Sequence, residues 1–168
     1  MKTLVIHPDD ISTAFLSQVY EGKDWTIIND NPSKRYLKEQ IEAHDRIIMM
    51  GHGTKWGLHG FQRTIVDSSY VYLLREKEII AIWCNADEFV KKYDLKGFYT
   101  GMIISEFEEA INEGVFDATY KDVNLSNILF TDAVTKTIDS DDMLGDMIKE
   151  YVGDSPVINF NKERLYKR

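Results

Sequence analysis

The sequence is poor in cysteine and has no long apolar segment. One cysteine, Cys84, occurs in 168 residues, which excludes a disulfide framework and a zinc site built from four thiolates. No apolar run approaches the roughly 20 residues that a membrane-spanning helix requires. The apolar stretch within residues 1–6 is too short for a signal peptide, and no small-residue cleavage site follows it. The sequence therefore predicts a cytoplasmic protein that does not associate with a membrane.

Acidic residues outnumber basic residues in this chain. The chain has 20 Lys and Arg residues against 28 Asp and Glu residues, which gives a net charge of −8. Nucleic-acid-binding proteins usually carry a basic face, and the one basic cluster here, residues 162–168, is interpreted as a solvated tail. We therefore expect no nucleic-acid partner. The acidic excess between residues 105 and 154 is interpreted as a solvated helical face.

The composition is otherwise that of an ordinary globular protein. Hydrophobic residues make up 43% of the chain and charged residues 29%, which argues against disorder. A length of 168 residues predicts a single domain that spans residues 1–168 and folds without disulfides or metals.

Short apolar runs alternate with helical patterns along the chain. The runs are continuously apolar, which is typical of parallel strands covered by helices on both faces. They lie at residues 3–6, 25–28, 46–50, 79–83 and 98–103. This order predicts an α/β fold, a three-layer sandwich with a mainly parallel sheet of five or six strands and helices on both faces, followed by a helical C-terminal segment.

Most of the expected helices have a recognisable start. Ile11, Phe15 and Val19 fall on one face of a first helix. Ser33 and Asp67 are candidate caps for the next two helices, and residues 105–108 read as a capping box. Two successive helices are expected at residues 124–138 and 140–152, and a last strand at residues 157–160.

A histidine and the only thiol follow two of the predicted strands. In open parallel sheets, functional groups collect beyond the carboxyl ends of the strands. One apolar run ends in Gly51-His52-Gly53 and the next in Cys84. The glycines around His52 permit a sharp turn and a close approach to the N–H of Gly53. A helix expected just after Cys84 favours the thiolate through its dipole, so the pair has the ingredients of a nucleophile with a histidine partner.

These two blocks resemble those of a known group of enzymes. An apolar strand ending in His-Gly, followed by one ending in Cys, is similar to the pattern of the caspase-like cysteine peptidase superfamily, which includes caspases, metacaspases, legumains, gingipains, clostripain and separases. Here 32 positions separate His52 from Cys84. The motif resemblance rests on residues 47–53 and 79–84, and the order of strands and helices agrees with that fold from residue 1 to about residue 113.

The resemblance implies a function and a site. It implies a caspase-like endopeptidase that cleaves peptide bonds, with Cys84 as the nucleophile and His52 as the general acid and base. It also implies an oxyanion hole formed by the backbone N–H groups of Gly53 and Cys84. The expected partner is a peptide or protein, and no cofactor is needed.

The resemblance also suggests where a substrate side chain would bind. In this fold the loop after the first strand helps to form the pocket for the residue before the cleaved bond. Asp9 and Asp10 in that loop would pair with a basic residue, although capping of the first helix by one of them is a plainer interpretation. Trp56 either lines a substrate groove or packs in the core.

Three other interpretations of the residues stay open. A lone cysteine after an apolar strand is often an inert core residue, which fits a catalytically inactive caspase-like module that binds or regulates a partner. A flavodoxin-like binder of small ligands would hold a phosphate or nucleotide in the crevice beyond the strand ends. His52, His59 and Cys84 have the chemistry of zinc ligands, but no closely spaced ligand pair supports a zinc site, and we expect no metal.

Overall fold

The structure is a computed structural model that describes all residues from 1 to 168. It contains nine strands: β1 (Thr3–Ile6), β2 (Thr26–Ile28), β3 (Arg46–Met50), β4 (Gly53–Thr54), β5 (Gly57–Gly60), β6 (Arg63–Val66), β7 (Glu78–Ile82), β8 (Gly97–Thr100) and β9 (Leu165–Lys167). Six of them form the main sheet, in the order β2-β1-β3-β7-β8-β9. The first five of these run parallel, and β9 pairs antiparallel with β8.

Helices cover both faces of the main sheet. The α-helices are α1 (Lys34–Ala43), α2 (Val71–Leu74), α3 (Ala86–Tyr93), α4 (Phe107–Asn112), α5 (Tyr120–Thr137), α6 (Met143–Glu150) and α7 (Pro156–Lys162). Two 3-10 helices, Ala14–Val19 and Ser68–Tyr70, complete the set. No helix of the structure has both the length and the apolar character needed to cross a membrane.

The central strands are apolar on both sides because each side faces a separate core. Alternate side chains of a strand point to opposite faces of the sheet. Ile47 and Met49 of β3 pack into a core shared with α1, α2 and α3, whereas Ile48 and Met50 pack into a core shared with α5 and α6. The α/β sandwich with a mainly parallel sheet that the sequence predicts is therefore present.

The first predicted helix starts later than expected, although Val19 is buried and Phe15 packs against the core as predicted. Ile11 is 97% exposed, and the chain adopts a 3-10 helix only from Ala14 to Val19. The preceding residues form a turn instead, in which Oδ1 of Asp10 accepts hydrogen bonds from the backbone N–H and the hydroxyl of Ser12. Because of this turn the helix begins only at Ala14, and Ile11 is exposed to solvent.

Two predictions for the C-terminal segment are also wrong. Residues 157–160 are not a strand but part of α7, since the Ser155 hydroxyl caps the N–H groups of Val157 and Ile158 and Pro156 occupies the first turn. Residues 162–168 are not a solvated tail throughout, because β9 closes the edge of the sheet and buries Leu165.

A small antiparallel sheet, β4-β5-β6, was not predicted. Its strands have two to four residues and contain three glycines, so no apolar run reveals them. The sheet lies between β3 and β7 in the chain and packs Leu58, Ile65 and Val66 into the core shared with α1 and α3.

A buried amide ties α7 to the segment after β8. The side chain of Asn161 is almost fully buried; its Oδ1 accepts a hydrogen bond from the N–H of Ile104 at 2.7 Å, and its Nδ2 donates to the carbonyl of Ile104 at 2.9 Å. The same Nδ2 contacts the hydroxyls of Ser126 and Tyr151. One side chain thus satisfies both backbone groups of a buried residue.

We expect the substitution Asn161→Ala to reduce the free energy of unfolding by about 3 kcal/mol, because two buried backbone groups lose their partners. Asn159→Ala is the matched control: the residue lies on the same helix, is exposed and makes no side-chain hydrogen bond, so its effect should stay below about 1 kcal/mol. Denaturant unfolding of both variants measures the difference. Equal losses of unfolding free energy in the two variants would show that this hydrogen-bond network does not stabilise the fold.

Candidate active site

The pairing of β3 with β7 determines where His52 and Cys84 lie. These strands are parallel neighbours, and Met50 at the end of β3 is in register with Ile82 at the end of β7. The N–H of Gly51 donates to the carbonyl of Ile82 at 3.1 Å, which extends the pairing by one residue. His52 and Cys84 each follow two residues after this register pair, so they emerge at the same end of the sheet.

The two residues line one cleft. Its wall is formed by Thr13, Phe15, Leu16, Gly51, His52, Ile82, Trp83, Cys84, Ile103, Ser105, Asn127, Phe130 and Asn161. The cleft is narrow, with about 30 Å³ of room. Phe15 and Leu16, on the 3-10 helix, form one wall of it.

An indole ring connects the two loops. Trp83 is buried, and its Nε1 donates to the carbonyl of Thr54 at 3.0 Å. Gly53 leaves room for that ring, since a Cβ at this position would overlap Cδ1 of Trp83. The residue after His52 and the residue before Cys84 are therefore in direct contact, and only glycine fits at position 53.

The thiol of Cys84 is half-buried and donates a hydrogen bond to the carbonyl of Ile103 at 3.4 Å. The segment that carries this carbonyl is fixed by two amides, because Asn161 binds Ile104 and Nδ2 of Asn127 donates to the carbonyl of Ser105 at 2.9 Å. The carbonyl of Ile103, which accepts the hydrogen bond from the thiol, is thus held in place by side chains of α5 and α7.

Burial raises the pKa of the Cys84 thiol to about 11, and the nearby carboxylates of Glu109, Glu113 and Glu106 contribute to the rise. Helix α3 does begin at Ala86, as predicted, with Asp87 and Glu88 in its first turn. Desolvation and the three carboxylates act against the thiolate that the dipole of this helix is expected to favour, so the resting thiol is protonated at neutral pH.

The backbone N–H of Cys84 has no acceptor within the chain. The next residue, Asn85, adopts a left-handed conformation with φ of 64°, and its N–H donates to the carbonyl of Gly101. Gly53, the other residue expected at the oxyanion hole, is in register with Leu58 in the small sheet. At least one donor beside the sulfur is therefore free to bind a negatively charged oxygen.

The imidazole of His52 is held by the loop after β1. Its Nε2 lies 2.6 Å from the hydroxyl oxygen of Ser12 and 3.6 Å from Oδ1 of Asp10. Oδ1 of Asp10 also lies 2.5 Å from the Ser12 hydroxyl. The other ring nitrogen of His52, Nδ1, has no hydrogen-bond partner in the structure. His52 is therefore anchored on one side and free on the other.

The remaining predicted site residues lie in different places. Asp10 is bound to Ser12, whereas the side chain of Asp9 is exposed and makes no hydrogen bond. Trp56 is at the turn between β4 and β5, outside the cleft, where the ammonium groups of Lys55 and Lys92 cover its ring. His59 lies on β5, 3.4 Å from the Thr54 hydroxyl.

Sequence reasoning missed three residues of the site: Ser12, Asn127 and Asn161. Ser12 had a weak signal, because an aspartate two residues before a serine commonly forms a turn through its side chain. The two asparagines had none, since each reaches the cleft from a helix that the strand-end rule does not consider. No group of three or more His, Cys, Asp and Glu side chains is arranged to hold a metal ion.

Comparison of the chain with protein-family models, curated proteins and solved structures finds no match. The function is therefore argued from the geometry and chemistry of this cleft.

We expect the reaction of Cys84 with iodoacetamide to be slow at pH 7 and to accelerate with pH up to an apparent pKa near 11, because only the thiolate reacts. Intact-mass spectrometry suffices to follow it, since the chain has no other thiol. The protein unfolded in denaturant serves as the control and should titrate near 8.5. An apparent pKa below 8.5 in the folded protein would contradict the burial and charge argument.

Proposed function

We propose that the chain is a caspase-like cysteine endopeptidase in which Cys84 attacks a peptide carbonyl and His52 transfers the protons. The observation that carries this proposal is the register of β3 with β7, which brings His52 and the single thiol to one cleft. The α/β sandwich with its mainly parallel sheet is the fold that the motif resemblance implies, and it supports the same proposal.

The protonated resting thiol determines the order of events. As the sulfur of Cys84 bonds to the substrate carbonyl carbon, His52 takes the thiol proton and the carbonyl oxygen becomes negative. The free N–H of Cys84 stabilises that oxygen. His52 then gives the proton to the departing amine, the C–N bond breaks, and water hydrolyses the thioester with His52 again acting as the base.

Substrate binding also has to open the cleft. A peptide that displaces Phe15 and Leu16 gives Cys84 access to the scissile bond and brings His52 within reach of the sulfur. Catalytic hydrogen bonds are often long in free enzymes and shorten only with substrate. We therefore propose a latent resting form that peptide binding activates.

The narrow cleft and the raised thiol pKa favour a second candidate, a caspase-like module that binds or regulates a partner without cleaving it. Both candidates use the same fold and the same cleft. They differ in whether a bound peptide makes Cys84 reactive, and one experiment separates them.

We expect peptidyl chloromethyl ketones to alkylate Cys84 at pH 7.5 at least 100-fold faster than iodoacetamide, because the peptide opens the cleft and His52 accepts the proton. His52→Ala should remove most of this acceleration. His59→Ala is the matched control, since His59 lies outside the cleft, and should leave the rate unchanged. Cys84→Ala should give no adduct and no cleavage of a peptide library, at a cost in stability of about 1 kcal/mol.

Rates for peptide reagents that are no faster than for iodoacetamide, or that are equal in wild type and His52→Ala, would reject the peptidase and favour the binding module. Mass spectrometry reports the extent of labelling in each case, and circular dichroism verifies that each variant is folded.

The proposed preference for a basic residue before the cleaved bond rests on Asp9, because the carboxylate of Asp10 is already bound by Ser12. In a panel of peptidyl ketones, we expect reagents with Arg or Lys at this position to react faster than those with Asp or Asn. Asp9→Asn should reduce that ratio roughly tenfold by removing a charged partner. A ratio that Asp9→Asn does not change would show that the preference, if present, has another origin.

A further inference from the structure

Three side chains from two neighbouring loops form a hydrogen-bonded row at the edge of the cleft. Oδ1 of Asp10 lies 2.5 Å from Oγ of Ser12, and that oxygen lies 2.6 Å from Nε2 of His52. The row exists because β1 and β3 are adjacent parallel strands, so the loops that follow them share one end of the sheet.

The protons of this row can be assigned from the donors available. The hydrogen bond from the Ser12 hydroxyl holds the pKa of the Asp10 carboxyl below its ordinary value, so Asp10 is ionised at neutral pH and only accepts hydrogen bonds. A serine hydroxyl has a single proton, and Asp10 takes it. The short contact between Ser12 and His52 then requires that Nε2 of His52 carries a proton and donates it to the serine oxygen.

We propose that Asp10 and Ser12 are positioning residues that hold His52 in its Nε2–H tautomer and leave Nδ1 unprotonated as the nitrogen that accepts the proton of Cys84. The second part of this proposal rests on the proposed peptidase function. Nδ1 has no partner in the structure, so it is available for this role.

The same row stabilises the charged intermediate state. When His52 takes the thiol proton, the ring becomes an imidazolium with protons on both nitrogens. Its Nε2 then donates through Ser12 towards a carboxylate whose Oδ1 is 3.6 Å away. A buried aspartate has this orienting effect on the histidine of serine peptidases; here a hydroxyl stands between the carboxylate and the ring.

The tautomer is measurable without any catalysis. We would record the ¹⁵N chemical shifts of the ring nitrogens of His52 at pH 8, with the signal assigned by His52→Gln among the four histidines. The wild-type ring should show a protonated Nε2 and an unprotonated Nδ1. In Asp10→Ala the hydroxyl of Ser12 loses its acceptor and donates to Nε2, so the two shifts should interchange for most of the molecules.

Two further variants make the test specific. The double variant Asp10→Ala with Ser12→Ala should lose the interchange, because no hydroxyl remains to donate to Nε2. Asp9→Ala is the matched control, since it removes an adjacent carboxylate that makes no hydrogen bond, and it should match wild type. Asp10 and Asp9 are both exposed, so all of these variants should fold.

The reaction of Cys84 with a peptidyl chloromethyl ketone provides the second measurement. We expect a loss of roughly tenfold or more in Asp10→Ala, and none in Asp117→Ala, which removes an exposed carboxylate that lies outside the cleft and makes no hydrogen bond. An interchange of the nitrogens without any dependence of labelling on His52 would retain the positioning of the ring and reject the peptidase. Unchanged nitrogens in Asp10→Ala, with labelling that still depends on His52, would reject the positioning and retain the peptidase.

Discussion

The in-register parallel pairing of β3 with β7 is the constraint on which the site depends. It aligns Met50 with Ile82, and the next two residues of each strand then lead to His52 and Cys84. Both strands are apolar on both faces, so a shift by one residue would turn each core-facing set of side chains towards the wrong core. The two hydrophobic cores therefore fix the relative positions of the imidazole and the thiol, although neither group belongs to them.

The parallel strands were predictable because burial on both faces leaves a continuous apolar run in each. The helix caps of Ser33 and Asp67 were equally readable, since a cap is a local hydrogen bond. The failures have two causes. Ile11 has the spacing of a helical core residue, but a local hydrogen bond between Asp10 and Ser12 forms a turn there instead. Residues 162–168 have the composition of a solvated tail, but a tertiary contact, the pairing with β8, makes part of them a strand.

The site shows the same division between local and distant causes. His52 and Cys84 could be found from the sequence because strand ends are local features. The protonation state of the thiol could not, because it depends on Glu106, Glu109 and Glu113, which follow it by 22 to 29 residues in the chain. Ser12 acquires its role only from a turn that places its hydroxyl between a carboxylate and an imidazole. The protonation states of the site therefore follow from the three-dimensional structure and could not be predicted from the sequence.

The indole of Trp83 has a mechanical consequence for the cleft. Because its ring fills the space left by the missing side chain of Gly53 and its N–H holds Thr54, the loop after β3 and the loop after β7 cannot be displaced separately. We expect the two loops to move together. Opening of the cleft then comes from the wall that carries Phe15 and Leu16, and any approach of the imidazole to the sulfur comes from rotation of the side chains.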